Sequence, residues 1–427
     1  MGRLLLLSTT TGYQAEQFRA AAERMGVPLG LATDRCHVLE DPWRDGALAV
    51  RFERPRESAH IICEYARQQP LRGIVAIGDA PTMAAALACH ELKIDWHPPA
   101  AVEASRNKFV ARERFKAAGM RVPWYSRFPA ESDARIAAAT VPYPCVLKPL
   151  GLSASRGVIR ANGATEFVRA FERVRALLDA KEVRALRDAG SRWIQVEGYI
   201  PGREFAIEGI LTRGVLRVLA IFDKPDPLDG PFFEETIYVT PSRLPEGDQQ
   251  SLLQCVQQGV AALGLWHGPI HAEVRQNDAG PWMLEIAARP IGGLCAGALR
   301  FERSGDTIGL EELILRHAAG EDVSGIPRES AASGVMMIPI PEAGVYEGVK
   351  GVEQALDLPG VERIEITAKL REKLVPLPEG ASYLGFIFAR GASPAFVEDA
   401  LRAAHQKLQF VISPSLPLMS ATPVSSS

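Results

Sequence analysis

The sequence predicts an α/β fold in which a parallel-sheet domain precedes a larger mixed region. Residues 1–105 alternate buried-strand and amphipathic-helix patterns, which is the order of βαβ units. Two apolar-alternating runs, at residues 268–275 and 281–288, flank a turn-rich segment and indicate a β-hairpin. Residues 333–412 again combine strand and helix patterns, which predicts a further α/β unit.

Composition excludes several classes of protein. A chain of 427 residues is long enough for two to three domains with ample cores. The formal net charge of −3 gives nucleic-acid binding no electrostatic support. No apolar run approaches the roughly 18 residues of a membrane helix, and the run at residues 4–7 is far too short for a signal-peptide core. The six cysteines lack CxxC spacing, which favours reduced core residues and a cytoplasmic location.

The first 105 residues contain one candidate ligand-binding edge. Strands are predicted at residues 3–8, 28–33, 48–52 and 73–77, and helices at 13–25, 57–68 and 81–92. Residues 78–82, which include Asp79, follow the last strand at its carboxyl end, where open α/β sheets place ligands. An ordinary turn and helix cap would have the same sequence, so both interpretations stay open.

The remaining elements are predicted from periodicity and from turn residues. The middle of the chain has helices at 107–118 and 249–263 and around 307–319, two helical stretches between 165 and 189, and strands at 145–149 and 193–196. The last part has strands at 334–340, 361–366 and 383–389 and a helix at 395–408. Residues 413–427 are rich in serine and proline, which predicts a disordered tail.

Two glutamates face each other across the predicted hairpin. Because side chains alternate along a strand, Glu273 lies nearly opposite Glu285, with Cβ atoms about 4.5–5.5 Å apart. Carboxylates this close repel unless a cation or a proton lies between them, and Mg²⁺ prefers such oxygen ligands. We therefore predict a divalent-metal site; the alternative is two solvated acids on an exposed face. His271 lies on the same face as Glu273. It could orient a phosphate or a substrate, or it could be a hydrogen-bonded strand histidine with a structural role.

A loop of small residues, 151–158, directly follows the strand that contains Lys148. Such a loop lets backbone N–H groups, including that of Gly157, close around phosphate oxygens, and the hydroxyls of Ser153 and Ser155 add donors. It matches neither a Walker A loop nor a GxGxxG fingerprint. Lys148 strengthens the phosphate interpretation, because an ammonium beside the loop can meet phosphate charge. A flexible surface loop with a surface lysine is the alternative.

The order of these segments resembles the ATP-grasp superfamily. That order is Asn107-Lys108, Leu147-Lys148-Pro149 with its loop, EGYIPGRE at 197–204, and Glu273 and Glu285 followed by Arg289. Within the superfamily the chain is similar to the L-amino-acid ligase (dipeptide synthetase) branch, on FDKP at 222–225, EET at 234–236, EIAARPIGG at 285–293 and YLGFIFAR at 383–390. The superfamily resemblance spans about residues 70–320, and the branch resemblance extends through residue 412.

This resemblance implies a domain organisation built on an ATP-grasp fold. Residues 1–105 would form the N-terminal pre-ATP-grasp α/β domain and residues 106–330 the ATP-grasp domain. A mobile lid subdomain is expected at about residues 120–200. Residues 331–412 would form a C-terminal α/β subdomain, and residues 413–427 the disordered tail.

The resemblance also implies a role for each site residue. The expected ATP-binding residues are Lys108 and Lys148 at the phosphates and adenine, Ser153, Ser155 and Gly157 in the loop, Glu197 and Ile200 as hinge backbone at adenine, and Glu204 at the ribose. Glu273 and Glu285 would ligate Mg²⁺, with Mn²⁺ as a substitute. Arg289 is expected to hold the anionic acyl phosphate and its tetrahedral adduct, and His271 to assist.

One position departs from the superfamily pattern. Many members carry asparagine two residues after the second glutamate, where this chain has Ala287. Alanine cannot ligate a metal, so the metal would rely on the two glutamates, phosphate oxygens and water. The departure argues against a D-alanine–D-alanine ligase or a biotin carboxylase, and it leaves the number of metal ions open.

The predicted reaction is ATP-dependent carboxylate–amine ligation through an acyl phosphate, with release of ADP and phosphate. The product would be an amide, expected to be a dipeptide, and the partners small-molecule carboxylate and amine substrates rather than nucleic acid or membrane. The sequence leaves open whether the chain forms a homodimer. The loops at 153–157 and 223–235 are the expected lids, because an acyl phosphate must be kept from water. The alternatives are an ATP-grasp ligase of nucleotide or natural-product biosynthesis with a different acceptor, and a nucleotide-binding protein without catalysis.

Overall fold

The N-terminal part of the chain forms the parallel sheet that the sequence predicts. The structure is a computed structural model and describes residues 2–9, 14–34 and 47–414. The elements here are β1 (Arg3–Ser8), α1 (Ala15–Met25), β2 (Leu29–Thr33), β3 (Ala47–Ala49), α2 (Pro55–Gln68), β4 (Leu71–Ile77), α3 (Asp79–Leu92) and α4 (Pro99–Arg106). The strand order is β3-β2-β1-β4, with every pair parallel. The leucines of β1 are buried on both faces, as covered parallel strands require.

The next part of the chain forms a small antiparallel sheet with a core of its own. Helix α5 (Lys108–Ala117) precedes it and packs into the core of the N-terminal domain. The elements of the unit are β5 (Tyr125–Pro129), α6 (Ala134–Ala138), β6 (Cys145–Pro149), β7 (Ile159–Ala161), α7 (Ala164–Asp179), α8 (Lys181–Ala185) and β8 (Trp193–Gly198). The strand order is β5-β8-β6-β7. The apolar face of α7 packs against this sheet through Phe167, Phe171 and Val174. We call this unit the lid sheet; it coincides with the predicted lid subdomain, whose mobility stays a prediction.

An eight-stranded antiparallel sheet forms the centre of the molecule. Its elements and neighbours up to residue 318 are β9 (Arg203–Thr212), β10 (Val215–Asp223), β11 (Ile237–Thr240), α9 (Glu246–Leu263), β12 (Gly268–Asn277), β13 (Gly280–Ala287), β14 (Arg300–Arg303), β15 (Asp306–Gly309) and α10 (Leu310–Ala318). The remaining elements are β16 (Ala332–Ile338), β17 (Gly344–Lys350), α11 (Val352–Leu356), β18 (Val361–Ile366), β19 (Lys373–Leu374), β20 (Gly385–Gly391), α12 (Pro394–Lys407) and β21 (Gln409–Ser413). The strand order of the sheet is β13-β12-β9-β10-β11-β16-β20-β18.

The predicted C-terminal subdomain shares this central sheet. Strand β11 pairs with β16, and β16 pairs with β20. The sheet is therefore continuous between the two domains whose boundary was predicted at residue 331. Only the three-stranded sheet β19-β17-β21 is separate from it within this part of the chain. The sequence pattern indicated the strands but not their partners, because partner choice between distant strands leaves no periodic signal.

The hairpin that carries the two glutamates has the predicted register. Glu273 on β12 pairs with Glu285 on β13, and His271 pairs with Ala287. A register irregularity follows Glu273, so the strand bends directly beyond the glutamate pair. The turn is tighter than predicted, because β12 continues to Asn277 and β13 begins at Gly280, where φ is +101°.

Several element boundaries differ from the sequence prediction. Residues 306–309 form strand β15, so the helix expected around 307–319 begins only at Leu310. Helix α4 and strands β17 and β21 were not predicted, and Ser413 ends β21 rather than opening a disordered tail. The rest of that predicted tail, residues 415–427, lies outside the described residues.

The described part of the chain contains no helix that combines the length and the apolar character needed to cross a bilayer. Five of the six cysteines, Cys63, Cys89, Cys145, Cys255 and Cys295, are buried free thiols, as the sequence predicts. The sixth, Cys36, lies outside the described residues.

Candidate active site

A cavity of about 690 Å³ lies where the N-terminal domain, the lid sheet, the hairpin and the C-terminal part of the chain meet. Eleven of the twelve predicted site residues line it: Lys108, Lys148, Ser153, Ser155, Glu197, Ile200, Glu204, His271, Glu273, Glu285 and Arg289. They come from elements far apart in sequence, so the fold brings the predicted residues together. The roles assigned to them remain predictions; their positions are structural findings.

Gly157 is set back from the cavity. Its N–H donates to the carbonyl of Pro378 at 2.8 Å, so in this conformation it is not directed at a ligand. Its φ of +74° and the closeness of Pro149 and Leu177 to the place a Cβ would take explain why glycine stands here. Gly157 therefore shapes the loop, while Ser153 and Ser155 line the cavity.

The buried Lys224 lies at the centre of a group of three carboxylates that the sequence analysis did not identify. Its Nζ is 2.8 Å from Glu204 Oε1 and 2.9 Å from Glu273 Oε1, and it also contacts Glu235. Burial disfavours the ammonium, but the three carboxylates outweigh it and hold the pKa of Lys224 well above its usual value. Burial raises the pKa of Glu235, yet Lys224 pulls it below the ordinary range. Lys224 and Glu235 are therefore both charged.

The carboxylates around the hairpin fit a hard divalent cation. Oxygens of Glu204, Glu235 and Glu273 lie within 4.8 Å of one another, and an all-oxygen set of this kind is what Mg²⁺ prefers. In this structure the ammonium of Lys224 balances the charge of these three carboxylates. The fourth carboxylate, Glu285, lies near a second cation, because the Nζ of Lys108 is 3.6 Å from Glu285 Oε2. The facing of Glu273 and Glu285 is confirmed, and metal ligation by the pair stays a prediction.

A second buried ion-pair group fixes Lys148 at the lid sheet. Its Nζ is 2.7 Å from Glu197 Oε2, and Arg112 holds the same carboxylate through two hydrogen bonds of 2.8 and 3.2 Å. Burial acts to raise the pKa of Glu197, but Arg112 and Lys148 outweigh it and hold the pKa well below its usual range. The side chain of Glu197 is therefore committed to these cations, and the hinge contact of its backbone stays a prediction.

The hinge segment is tied to strand β12 by one arginine. Arg275 donates to Glu204 Oε2 at 2.9 Å and to the carbonyl of Ile200 at 2.7 Å. Lys108 contacts the small-residue loop, because its Nζ donates to the carbonyl of Leu152 at 2.7 Å. These contacts hold the predicted adenine, ribose and phosphate residues around one end of the cavity.

Arg289 is fixed by Asp79, the residue that the sequence placed at a possible ligand edge. Its Nε and Nη2 donate to the two carboxylate oxygens of Asp79 at 3.0 and 3.1 Å. Burial acts against ionisation of Asp79, but Arg289 outweighs it and lowers the pKa to about 2. Asp79 begins helix α3 and also lines the cavity, and ligand binding by this segment stays a prediction.

His271 is held by a buried glutamate that the sequence analysis also missed. Its Nδ1 is 3.1 Å from Glu208 Oε2, and the other oxygen of Glu208 accepts from the N–H of Ile291 at 3.1 Å. Burial raises the pKa of Glu208. The opposite ring nitrogen, Nε2, is 3.9 Å from Glu273. Glu208 thus orients the imidazole and the loop after Arg289 together.

Comparisons with known proteins agree with this geometry. Residues 141–298 match the ATP-grasp domain family, and residues 336–413 match the L-amino acid ligase C-terminal domain 2 family. A crystal structure of an L-amino acid ligase from Bacillus licheniformis superposes with a TM-score of 0.81 at 24% identity, covering 96% of this chain and 99% of that one.

Two relatives show how far the sequence similarity extends. Protein y4rH of Sinorhizobium fredii is 24% identical over 422 residues, which cover 97% of this chain and 84% of that protein. Alanine–anticapsin ligase of Bacillus subtilis is 28% identical over 221 residues, 48% of this chain and 46% of that protein, so the match spans about half of each. Residues 141–298 thus match an ATP-grasp domain and residues 336–413 an L-amino acid ligase C-terminal domain 2, so the chain is similar to the ATP-grasp ligases of the L-amino acid ligase group.

Proposed function

We propose that this enzyme joins a carboxylate to an amine at the expense of ATP, forming an amide through an acyl phosphate and releasing ADP and phosphate. One observation carries the proposal: Glu273 lies in register with Glu285 inside a cavity that is also lined by Lys108, Lys148 and Arg289. Paired carboxylates for a metal beside three cations for phosphate are the arrangement that phosphoryl transfer needs.

The nucleotide would occupy the end of the cavity at the lid sheet. Backbone at Glu197 and Ile200 would meet adenine, and Glu204 the ribose. Lys148, fixed by Glu197, and the hydroxyls of Ser153 and Ser155 would meet the phosphates. Mg²⁺, when bound by Glu273 and Glu285, would neutralise phosphate charge. Lys224 would then be free to exchange its carboxylate partners for phosphate oxygens.

The reaction needs positioned charge rather than a protein nucleophile. A substrate carboxylate oxygen bonds to the γ-phosphorus, the bond to the β-phosphate oxygen breaks, and ADP leaves. The substrate amine nitrogen then bonds to the acyl carbon, and phosphate leaves with the bonding electron pair as the nitrogen loses a proton. Arg289, held by Asp79, stabilises the tetrahedral oxyanion. His271, oriented by Glu208, positions the phosphate or the substrate.

We propose amino acids as both substrates and a dipeptide as the product. The support is the match to the L-amino acid ligase C-terminal domain and to a relative named alanine–anticapsin ligase. We also place the enzyme in the cytoplasm, since five buried free thiols suit a reducing compartment. An ATP-grasp ligase with a different acceptor remains the second candidate, because both substrates bind beyond the residues that hold ATP.

A substrate screen tests the reaction class. Enzyme, Mg²⁺ and ATP are incubated with pairs of amino acids, and ADP and phosphate are measured together with the condensed product. We expect release of ADP and phosphate only when a carboxylate and an amine are both supplied. Release with an amine outside the amino acids would favour the second candidate. Binding of ATP without turnover for any pair would favour a nucleotide-binding protein without catalysis.

Isotope transfer tests the intermediate. A carboxylate substrate labelled with ¹⁸O should pass one labelled oxygen to the released phosphate, because an acyl phosphate bridges the two through that oxygen. Label in AMP, with release of pyrophosphate, would mean adenylation instead and would overturn the proposed mechanism.

A further inference from the structure

A second cavity, of about 350 Å³, lies behind the active-site loop on the side of helix α1. Its walls are one face of α1, the segment 294–300, the first turn of α10, and strands β18 and β20. None of the twelve predicted site residues lines it. We call it the α1 cavity.

Two arginines present donors to this cavity. The guanidinium of Arg363 lies 4.1 Å from the ring centre of Phe388, and its ion pair with Glu365 is long, at 3.6 Å. Arg24, on α1, makes one hydrogen bond of 3.3 Å to Glu312. A guanidinium has five N–H donors, so single long contacts leave most of them for a ligand. Both side chains are about half exposed, at 45% and 59%, so a ligand can reach them.

A buried carboxylate lines the same cavity. Glu311 lies in the first turn of α10 and is only 9% exposed. Burial raises its pKa, while Arg24 and Arg363 act in the opposite direction. A carboxylate in this position can accept hydrogen bonds from a ligand ammonium, and the two arginines can hold a ligand carboxylate. The lining thus matches both charged groups of a free amino acid.

The surroundings add positive charge. Arg300 also lines the cavity and is held by both oxygens of Glu362, which in addition accepts from Arg390. Among the residues that line the cavity, three arginines, Arg24, Arg300 and Arg363, face two glutamates, Glu311 and Glu362. A ligand with a second carboxylate would balance this excess better than a neutral one.

The α1 cavity is connected to the active site through the loop that follows Arg289. Gln14, which directly precedes α1, donates through its side chain to the carbonyls of Ile291 and Gly293 at 2.8 and 2.7 Å. Ile291 and Gly293 line the active site, while Leu294 lines the α1 cavity. A ligand that joins α1 to strand β18 would therefore hold the loop that the reaction uses.

We propose that the α1 cavity binds a free acidic amino acid, with its carboxylates at Arg24 and Arg363 and its ammonium at Glu311, and that occupancy favours substrate binding at the active site. The α1 cavity shares no lining residue with the active-site cavity. Ordering the loop in advance lowers the cost of substrate binding, which gives positive coupling between the two sites.

Binding is tested by calorimetry on the full chain with L-glutamate, in the presence of Mg²⁺ and a non-hydrolysable ATP analogue. We expect one L-glutamate per chain, and about tenfold weaker binding of L-glutamine, which has the same shape but lacks one charge. Arg363→Gln and Arg24→Gln should each weaken L-glutamate binding by about tenfold or more. Arg184→Gln, which removes an arginine that is 68% exposed and distant in the fold, is the matched control and should change nothing.

Two results would overturn the proposal. No L-glutamate binding, or equal binding by the wild type, Arg24→Gln and Arg363→Gln, would remove the site, whatever ligation activity the enzyme has. For the coupling, L-glutamate should lower the KM of the amino-acid substrates about two- to fivefold in the wild type. In Arg363→Gln the addition of L-glutamate should leave this KM unchanged. Without L-glutamate, the variant should turn over at the rate of the wild type. An unchanged KM in the wild type with binding intact would leave a binding site and remove the regulation.

Discussion

Strand β12 adjoins two groups of titratable side chains, one at its middle and one at its start, and their charge states are opposite. At its middle, Glu273 belongs to the charged group around Lys224. Near its start, three histidines pack together without a charged partner in contact: His97 donates to the carbonyl of Pro269 at 3.1 Å, and the ring of His267 stacks 4.2 Å from that of His317. One group keeps its charges by pairing them, and the other keeps its side chains neutral.

The pKa values follow from this difference. Burial lowers the pKa of His97 to about 4 and that of His317 to about 3, because it outweighs the opposing effects of the Pro269 carbonyl on His97 and of Asp95 on His317. At Lys224, burial acts in the same direction but three carboxylates outweigh it. The comparison shows that burial alone does not set the protonation state. The charge of Lys224 is kept beside the cavity where the proposed chemistry takes place. The neutral histidines lie where the N-terminal domain packs against the central sheet.

The strongest way to break this contrast is to remove the central cation. Lys224→Met removes the ammonium that Glu235 and Glu273 share and leaves Glu204 with Arg275 alone, so we expect a loss of about 3–5 kcal/mol in the free energy of unfolding. Urea unfolding measures it, and Mg²⁺ or Mn²⁺ should restore part of the loss by replacing the missing charge. Lys181→Met, at an exposed position, is the control and should stay within about 0.5 kcal/mol of the wild type. A Lys224→Met protein as stable as the wild type would mean that the group is not held by charge.

The next largest effect is expected at the arginine that Asp79 fixes. Arg289→Ala should lower turnover by about 10²–10³, because a preorganised donor for the oxyanion is lost. Arg289→Lys should also be poor, because an ammonium cannot make the two-pronged contact with Asp79. ATP affinity, measured by calorimetry, should stay unchanged in both variants. Normal turnover of Arg289→Ala would remove Arg289 from the mechanism.

The metal prediction is sharpened by a change that preserves shape. Glu285→Gln removes one carboxylate charge opposite Glu273, and we expect at least about a 100-fold loss of turnover, equivalent to about 2.7 kcal/mol of barrier. Circular dichroism should show an intact fold, since the Glu285 side chain is 34% exposed. Turnover near that of the wild type, with the same Mg²⁺ dependence, would contradict the ligand assignment.

The smallest effect concerns the neutral end of β12. The pKa values of His97 and His317 are below the unfolded value of 6.5, so the unfolded chain binds more protons as the pH falls. Stability should therefore be unaffected by these groups above about pH 7. Below about pH 6.5 it should fall by about 1.4 kcal/mol per histidine per pH unit.

Urea unfolding between about pH 7.5 and 5.5 checks this prediction. In His97→Gln the amide can still donate to Pro269 and accept from the N–H of Trp266, the two contacts that His97 makes. The variant should therefore show a shallower loss of stability with falling pH than the wild type. Equal slopes would mean that His97 is not the source.

The hairpin was predictable because alternation along two adjacent strands fixes which residues face each other. The turn then determined that Glu273 would meet Glu285, and the structure has that register. The small-residue loop was located for a similar local reason, although Gly157 serves the fold and not the cavity. Local pattern is sufficient where the partners lie within one hairpin or one loop.

The partners of these residues were not predictable in the same way. Lys224 and Glu235 belong to stretches that supported the family resemblance, but no local signal linked them to Glu273. Glu208 and Asp79 reach His271 and Arg289 across 63 and 210 positions of sequence. Such contacts depend on strand order, which a single sequence does not encode by periodicity. A charged residue within an apolar run, as Glu208 is within residues 205–211 of β9, is the signal that was available.

The continuous sheet across residue 331 has a consequence for how this chain can be divided. Strand β11 is hydrogen-bonded to β16 along four residue pairs, Ile237 to Thr240 against Met336 to Ser333. A truncation before β16 would expose that edge of β11 to other chains, and open strand edges promote aggregation. Recombination between relatives is therefore expected to work only when the crossover keeps β11, β16 and β20 from the same parent. We therefore expect the strands of this sheet to be exchanged together, because each of the two matched family regions supplies only some of them.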